Sequence, residues 1–158
     1  MKMRHYLPAA FAGTNKQDIL LVGAGGTGSQ ILTDLARMNQ ALISLGGKGI
    51  RVTTIDPDNV TATNVGRQLY SMSDIGLNKA IVLTTRVNAF FGTSWEAYPA
   101  MLTKKTVVTK NTYIMVITAV DNVDARLAAH GVAVKANIPY WLDKGNMETT
   151  GNVEWGLA

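Results

Sequence analysis

Cysteine is absent from the 158 residues, and the only two histidines are His5 and His130. Disulfides, thiolate metal sites and a cysteine nucleophile are therefore excluded from this chain. The histidines are far apart, with no carboxylate or second histidine at ligand spacing, so no zinc is expected. Charge is also sparse: 16% of residues are charged, with 15 Lys and Arg against 11 Asp and Glu, a net +4. That excess permits an acidic partner. Because Lys104-Lys105 is the longest cationic cluster, the sequence carries no nucleic-acid footprint. Long apolar runs are missing too. The longest, Ile19 to Ala24 and Tyr113 to Val120, fall far short of the ~20 residues that cross a bilayer, and Pro8 and Gly13 interrupt any secretory leader. A cytoplasmic protein without a membrane segment is expected.

What remains is 47% hydrophobic, enough for one self-sufficient core, since a domain of this size buries roughly two-thirds of its unfolded surface. The apolar run Asp18 to Val22 reads as a strand buried on both faces, and the glycine cluster Gly23 to Gly28 leads from it into a helix over Ser29 to Leu45. Ile31, Leu32, Leu35, Met38, Leu42 and Leu45 recur there at helical spacing. β-branched Ile50 to Ile55 is a second strand ending at Asp56-Pro57, and right-handed crossover makes it parallel to the first. Asp74 caps a short turn, and Asn78 to Phe91 is a helix. Trp95 to Pro99 is a short strand and Thr112 to Val120 a longer one. Asn122 to Asn137 is a helix with Val123, Leu127, Ala128, Val132 and Ala136 toward the core, and Tyr140 to Leu142 and Gly151 to Trp155 are brief strands. The alternation predicts a doubly wound, mostly parallel α/β sheet of the Rossmann-like kind, with ligands at the carboxyl ends of the strands. Residues 1–17 form an N-terminal arm and 18–158 the domain.

The polar residues at those strand ends carry the functional reading. Gly23-x-Gly25-x-x-Gly28, with Gly26 between, follows a strand and opens a helix, where backbone N–H groups and the helix N-terminus face anionic oxygen. A tight turn with close helix packing is the plainer explanation of the same glycines. Asp56 ends the second strand, where a carboxylate accepts ribose hydroxyls, although it lies 28 positions beyond Gly28. An Asp-Pro turn residue is the competing explanation, and Asp58 caps the turn that follows. Arg67 and Lys79 add two cations that a dinucleotide fold does not need. Cleavage between the α- and β-phosphates of ATP builds charge that such a pair stabilises; taken singly, each is a solvated surface group. Asp121, at the end of the third strong strand, suits Mg²⁺ shared with phosphates, or the acidic start of a helix.

Together, Gly23 to Gly28, Asp56-Pro-Asp58, Asn64-x-x-Arg67-Gln68, Gly76-x-x-Lys79 and Val120-Asp121-Asn122-x-x-x-Arg126 resemble the ThiF-type adenylyltransferases, relatives of ubiquitin-activating enzymes. Leu35 to Asn39, Arg86 to Asn88, Phe90 to Thr93 and Tyr140 to Asp143 narrow the likeness to the ThiF family protein of the PRTRC cassette. The resemblance runs from about Asp18 to Val153.

It implies ATP-dependent activation of the C-terminal glycine carboxylate of a small ubiquitin-like partner, giving an acyl adenylate and pyrophosphate. Asp56 then holds the ribose, Arg67 and Lys79 contact phosphates, Asn64 orients the reacting groups, and Asp121 ligates Mg²⁺. Gln68 and Asn122 join the nucleotide site. A homodimer is implied, with Arg4 a candidate contributed across it. The family's thioester and zinc cysteines have no counterpart, so thiol transfer cannot occur on this chain. Similar proteins continue past the position of Ala158, so the chain is expected to be the nucleotide-binding part of the family fold. Three other readings remain: an idle ThiF-like binding module, a nicotinamide-dependent dehydrogenase, and activation of a carboxylate on modified RNA or a peptide.

Overall fold

The computed structural model describes residues 17–110, 112–146 and 151–157. Within them the chain runs β1 (Gln17–Val22), α1 (Gly26–Ser44), β2 (Ile50–Ile55), α2 (Lys79–Phe91), β3 (Glu96–Tyr98), β4 (Met115–Thr118), α3 (Val123–Lys135), β5 (Tyr140–Asn146) and β6 (Gly151–Leu157). Two 3₁₀ turns, Ala62–Asn64 and Met72–Asp74, lie between β2 and α2. The strands form one sheet ordered β3-β2-β1-β4-β5-β6, with β6 antiparallel to β5 and every other pair parallel.

β1 sits centrally and is buried on both faces, as its uninterrupted apolar run requires. Ile19 and Leu21 pack with Leu32, Leu35 and Ala36 of α1 and Leu83 and Val87 of α2. Leu20 and Val22 face the other way, onto Ala129, Val132, Ala133 and Ala136 of α3. Alternate side chains of one strand thus feed two cores, which is what double winding means at residue level. The chain leaves β1 toward β2 on one side and returns to its other side as β4, so the sheet order reverses at the β1–β4 boundary.

Several helix faces differ from the sequence expectation. In α1 the buried side is Leu32, Leu35, Ala36 and Asn39, whereas Met38 is 41% exposed and Leu45, in the turn beyond the helix, 85% exposed. Buried Asn39 displaces them because its Oδ1 accepts the Ile50 N–H at 2.7 Å and anchors the start of β2. In α3, Val123 and Leu127 are exposed and small Ala128, Ala129 and Ala133 face the sheet. Small side chains there let the helix lie close to β4 and β5. β4 is shorter than expected and β5 longer, because β6 pairs along the whole length of β5.

The turns between β2 and α2 are fastened by side chains. Asp74 accepts from the Ser71 N–H at 2.7 Å and from the Arg86 guanidinium at 2.7 Å. Burial pushes its carboxyl upward, but the Ser71 N–H, Arg86 and the Ser71 hydroxyl together outweigh that and hold it below the ordinary value. On the other side of the sheet Asp143, 1% exposed, receives the Arg126 guanidinium and the Thr118 hydroxyl, tying α3, β4 and β5 together. Gly145 leaves the space for that guanidinium: a Cβ there would lie 2.7 Å from Arg126 Nη1.

Candidate nucleotide site

A cleft of about 770 Å³ opens over the carboxyl ends of β1, β2 and β4, at the reversal of strand order. Gly23, at φ +97°, turns the chain out of β1; a Cβ there would meet the Ala119 carbonyl oxygen at 2.6 Å. The next residue, Ala24, is held through the peptides on either side of it. Ala24 N–H donates to Asp56 Oδ2 at 2.6 Å, and the buried Tyr70 hydroxyl donates to the Ala24 carbonyl at 2.5 Å. The same hydroxyl lies 3.4 Å from the Lys79 carbonyl, so Tyr70 spans the glycine loop and the start of α2. Burial, with the nearby Asp56 charge, pushes its phenol well above the ordinary value and keeps it a donor.

Helix α1 starts inside the glycine cluster, at Gly26, with Gly25 as a cap that has no side chain and no acidic residue in the first turn. Its N-terminal dipole is therefore offered to the cleft uncompensated. Gly23, Gly25 and Gly26 line the cleft, whereas Gly28 does not. Gly28 sits against the loop beneath, where a Cβ would stand 1.9 Å from the Gly23 carbonyl oxygen, so its requirement is close packing.

Asp56, 5% exposed, lines the cleft at the end of β2. Burial raises its carboxyl above the ordinary value and outweighs the Ala24 and Asp58 N–H groups, which oppose it. Each oxygen carries one backbone donor, Ala24 at 2.6 Å and Asp58 at 2.8 Å, which leaves acceptor capacity on both. Asp58 does more than shape that turn: its carboxylate pairs with Lys79 Nζ at 3.1 Å. Lys79 is buried as the first residue of α2, behind the Asn78 cap, whose amide donates to the Asp56 and Asp58 carbonyls at 2.9 and 3.0 Å.

Asn64, 6% exposed, uses Oδ1 to close the Thr61 capping box, so its amide NH₂ is the end available to a ligand. Exposed Arg67 is steadied by Nε donating to the Thr63 carbonyl. The Gln68 side-chain oxygen is buried without a partner among the described residues. Across the cleft, Asp121 is exposed in the turn after β4, and Asn122 caps α3 with Oδ1, accepting from Asp124 and Ala125 N–H at 2.8 and 3.3 Å. Asn64, Arg67, Gln68, Lys79, Asp121 and Asn122 thus share one cavity with Asp56, Asp58 and three of the four glycines. Arg4 lies outside the described residues.

Sequence reasoning missed part of this wall. Lys144, one residue past buried Asp143, and Ala100 to Leu102, in the connection between β3 and β4, also line the cleft. No motif marks them; topology alone delivers them. The bridging role of Tyr70 is equally silent in the sequence.

The ThiF family matches residues 8–154. The chain belongs to the ThiF family. Among curated ThiF-type relatives it is 32% identical over 117 residues to the NEDD8-activating enzyme E1 catalytic subunit of Arabidopsis thaliana, covering 73% of this chain and 24% of that protein. It is 38% identical over 85 residues to the tRNA threonylcarbamoyladenosine dehydratase of Haemophilus influenzae, covering 53% of this chain and 29% of that one. Among solved structures, E. coli tRNA N6-threonylcarbamoyladenosine dehydratase in complex with ATP matches with TM-score 0.59 and 28% identity over 80% of this chain and 50% of that one. E. coli MccB matches in fold, with TM-score 0.69 and 20% identity over 87% and 39%. The ThiF chain therefore spans a quarter to a half of the length of these relatives. Family members of this kind are ATP-using adenylyltransferase-type enzymes. No described helix is long and apolar enough to cross a membrane.

Proposed function

We propose that this chain binds ATP in the cleft and adenylates the C-terminal carboxylate of a small ubiquitin-like protein ending in glycine. The observation that carries the reading is the convergence of the glycine loop, Arg67, Lys79 and Asp121 on one cavity. A dehydrogenase has no use for those two cations beside the loop. The Gly25 and Gly26 amides and the start of α1 receive phosphate oxygens, and Asp56 accepts the ribose hydroxyls. A carboxylate oxygen of the partner attacks the α-phosphorus, and the bond from that phosphorus to the bridging oxygen of the β-phosphate breaks. Pyrophosphate leaves with the electron pair, and the acyl adenylate remains. Arg67 and Lys79 meet the charge that grows on the leaving group. For Lys79 this means exchanging exposed Asp58 for phosphate. Asn64 turns its amide NH₂ toward the reacting groups, with Gln68 and Asn122 at the edges.

The residues suit Mg²⁺ held through phosphates. Asp121 offers one open carboxylate in the cleft, and no cluster of three or more His, Cys, Asp or Glu exists among the described residues. Mg²⁺ is commonly bound by one or two carboxylates plus substrate phosphates and water. Once bound, it would withdraw charge from the phosphate oxygens. A homodimer completes the reading, and the PRTRC-type likeness rests on the sequence motifs above. The relatives named for NEDD8 activation support a ubiquitin-like partner.

ATP–pyrophosphate exchange tests it. Exchange is expected only when a ubiquitin-like protein with a free C-terminal glycine is present, and Asp121→Ala should abolish it. ATP binding without exchange for every such partner would make the chain a binding module. Exchange supported by a threonylcarbamoyladenosine-containing tRNA instead would move the substrate to modified RNA.

A further inference from the structure

A second groove, of about 650 Å³, lies between the β3–β4 connection and the C-terminal half of α3. Lys104, Lys105 and Lys110 reach it from the connection and Lys135 from the helix. The helical lysine is 25 positions from the nearest of the others, so the sequence shows only a pair where the fold assembles four. No Asp or Glu lines the groove, and among the described residues none of the four is ion-paired. Lys135 Nζ instead donates to the Lys104 carbonyl at 3.1 Å, holding the connection on the helix and the four ammonium groups on one surface.

Between the charges the lining is aliphatic. Val132 is buried, Val108 packs half-buried on the core beneath α3, and Val107 is 92% exposed beside the lysines. Four like charges around an apolar floor raise the local potential and favour an anionic ligand that also carries aliphatic groups. Single-stranded RNA is a poor match, because its readers stack bases on aromatic rings or arginine planes and this groove holds neither. A small inorganic ion would leave the valines uncovered.

We propose that the lysine groove docks an acidic polypeptide segment bearing aliphatic side chains, with its carboxylates on Lys104, Lys105, Lys110 and Lys135 and its aliphatic groups on Val107 and Val108. The site is separate from the nucleotide cleft. Ala125 lines the cleft and Lys135 the groove, ten residues or about 15 Å apart along α3, so both can be filled together.

The test is fluorescence anisotropy on the full chain with three labelled probes of equal net charge: a peptide of glutamates interspersed with leucines, the same peptide with serine for leucine, and a single-stranded RNA. The leucine peptide should bind at least about tenfold more tightly than either other probe and weaken as salt is raised. The combined Lys104→Glu, Lys105→Glu and Lys110→Glu variant should lose that binding while its far-UV circular dichroism and melting temperature stay at the parent's values. Val107→Ser should reduce affinity for the leucine peptide and leave the serine peptide unchanged. Preference for RNA, equal binding of both peptides, no binding at low salt, or a charge-reversed chain that still folds and binds as before would each overturn the proposal. None of these readouts depends on ATP, so failure here is distinguishable from failure of the adenylation reading.

Discussion

Arg67 and Lys79 are both cations of one cleft, yet their surroundings differ. Lys79 is buried, neighboured by Asp58 and set in the first turn of α2. Arg67 stands exposed on a short turn, so little else in the protein depends on it. Arg67→Ala should therefore reveal function with little structural cost. Turnover in ATP–pyrophosphate exchange should fall about 100-fold, whereas ATP affinity changes only a few-fold, because the assigned interaction grows during reaction. Equal losses in both quantities would show Arg67 to be a ground-state contact. Asp74 makes a prediction of another kind. Its folded value is held below that of an unfolded aspartate, about 3.9, so its stabilisation is complete above that pH and disappears as pH falls through the folded value. Asp74→Asn should lower the urea midpoint at pH 7, and the gap to the parent should narrow progressively as pH falls below about 3.9. Asp56 has the opposite sign: raised by burial, it favours the folded state in acid, an advantage lost as pH rises through its folded value.

Among the elements, α1 is the one whose placement the glycine-lined cleft depends on most directly. Gly28→Ala should destabilise the protein by about 1–3 kcal/mol, because a methyl group must displace the Gly23 carbonyl or the helix. It should also weaken ATP binding although Gly28 does not line the cleft, which titration of the folded variant would show. Strand positions were largely legible from sequence, since a strand buried on both faces leaves an unbroken apolar run, as Ile19 to Val22 does. Helix faces were less so. Periodicity in α1 selected Met38 and Leu45, but a buried asparagine bonded to β2 rotates the effective face. In α3 it selected Val123 and Leu127, but alanines pack closest to the sheet. Hydrophobic size is a poor guide where a helix must approach closely. The motif residues of the cleft were legible because their chemistry is distinctive. Lys144, Met101 and Tyr70 were not, because each gains its place from a contact distant in sequence.

For the whole molecule, the proposed ATP site predicts which nucleotide stabilises the doubly wound sheet. ATP with Mg²⁺ at 100 times its dissociation constant should add about 2.7 kcal/mol, or roughly 5–11 °C in melting temperature for a domain of this size. NAD should give a smaller shift, and a larger one would return the cleft to the dehydrogenase class. The two cores on either side of β1 unfold together if the molecule is two-state, so that ligand effect should appear in one transition.

The double tether on the backbone of Ala24 has a kinetic corollary. A backbone unit anchored by a carboxylate on one side and a phenol on the other need not wait for a visitor to find its shape. Its amide hydrogen should trade for deuterium only through rare, large-scale opening, already slow with the cleft empty and about 100-fold slower again with the cleft filled by ligand at 100 times its dissociation constant. Nucleotide capture would then be governed by encounter and release rather than by any rearrangement of the receiving loop.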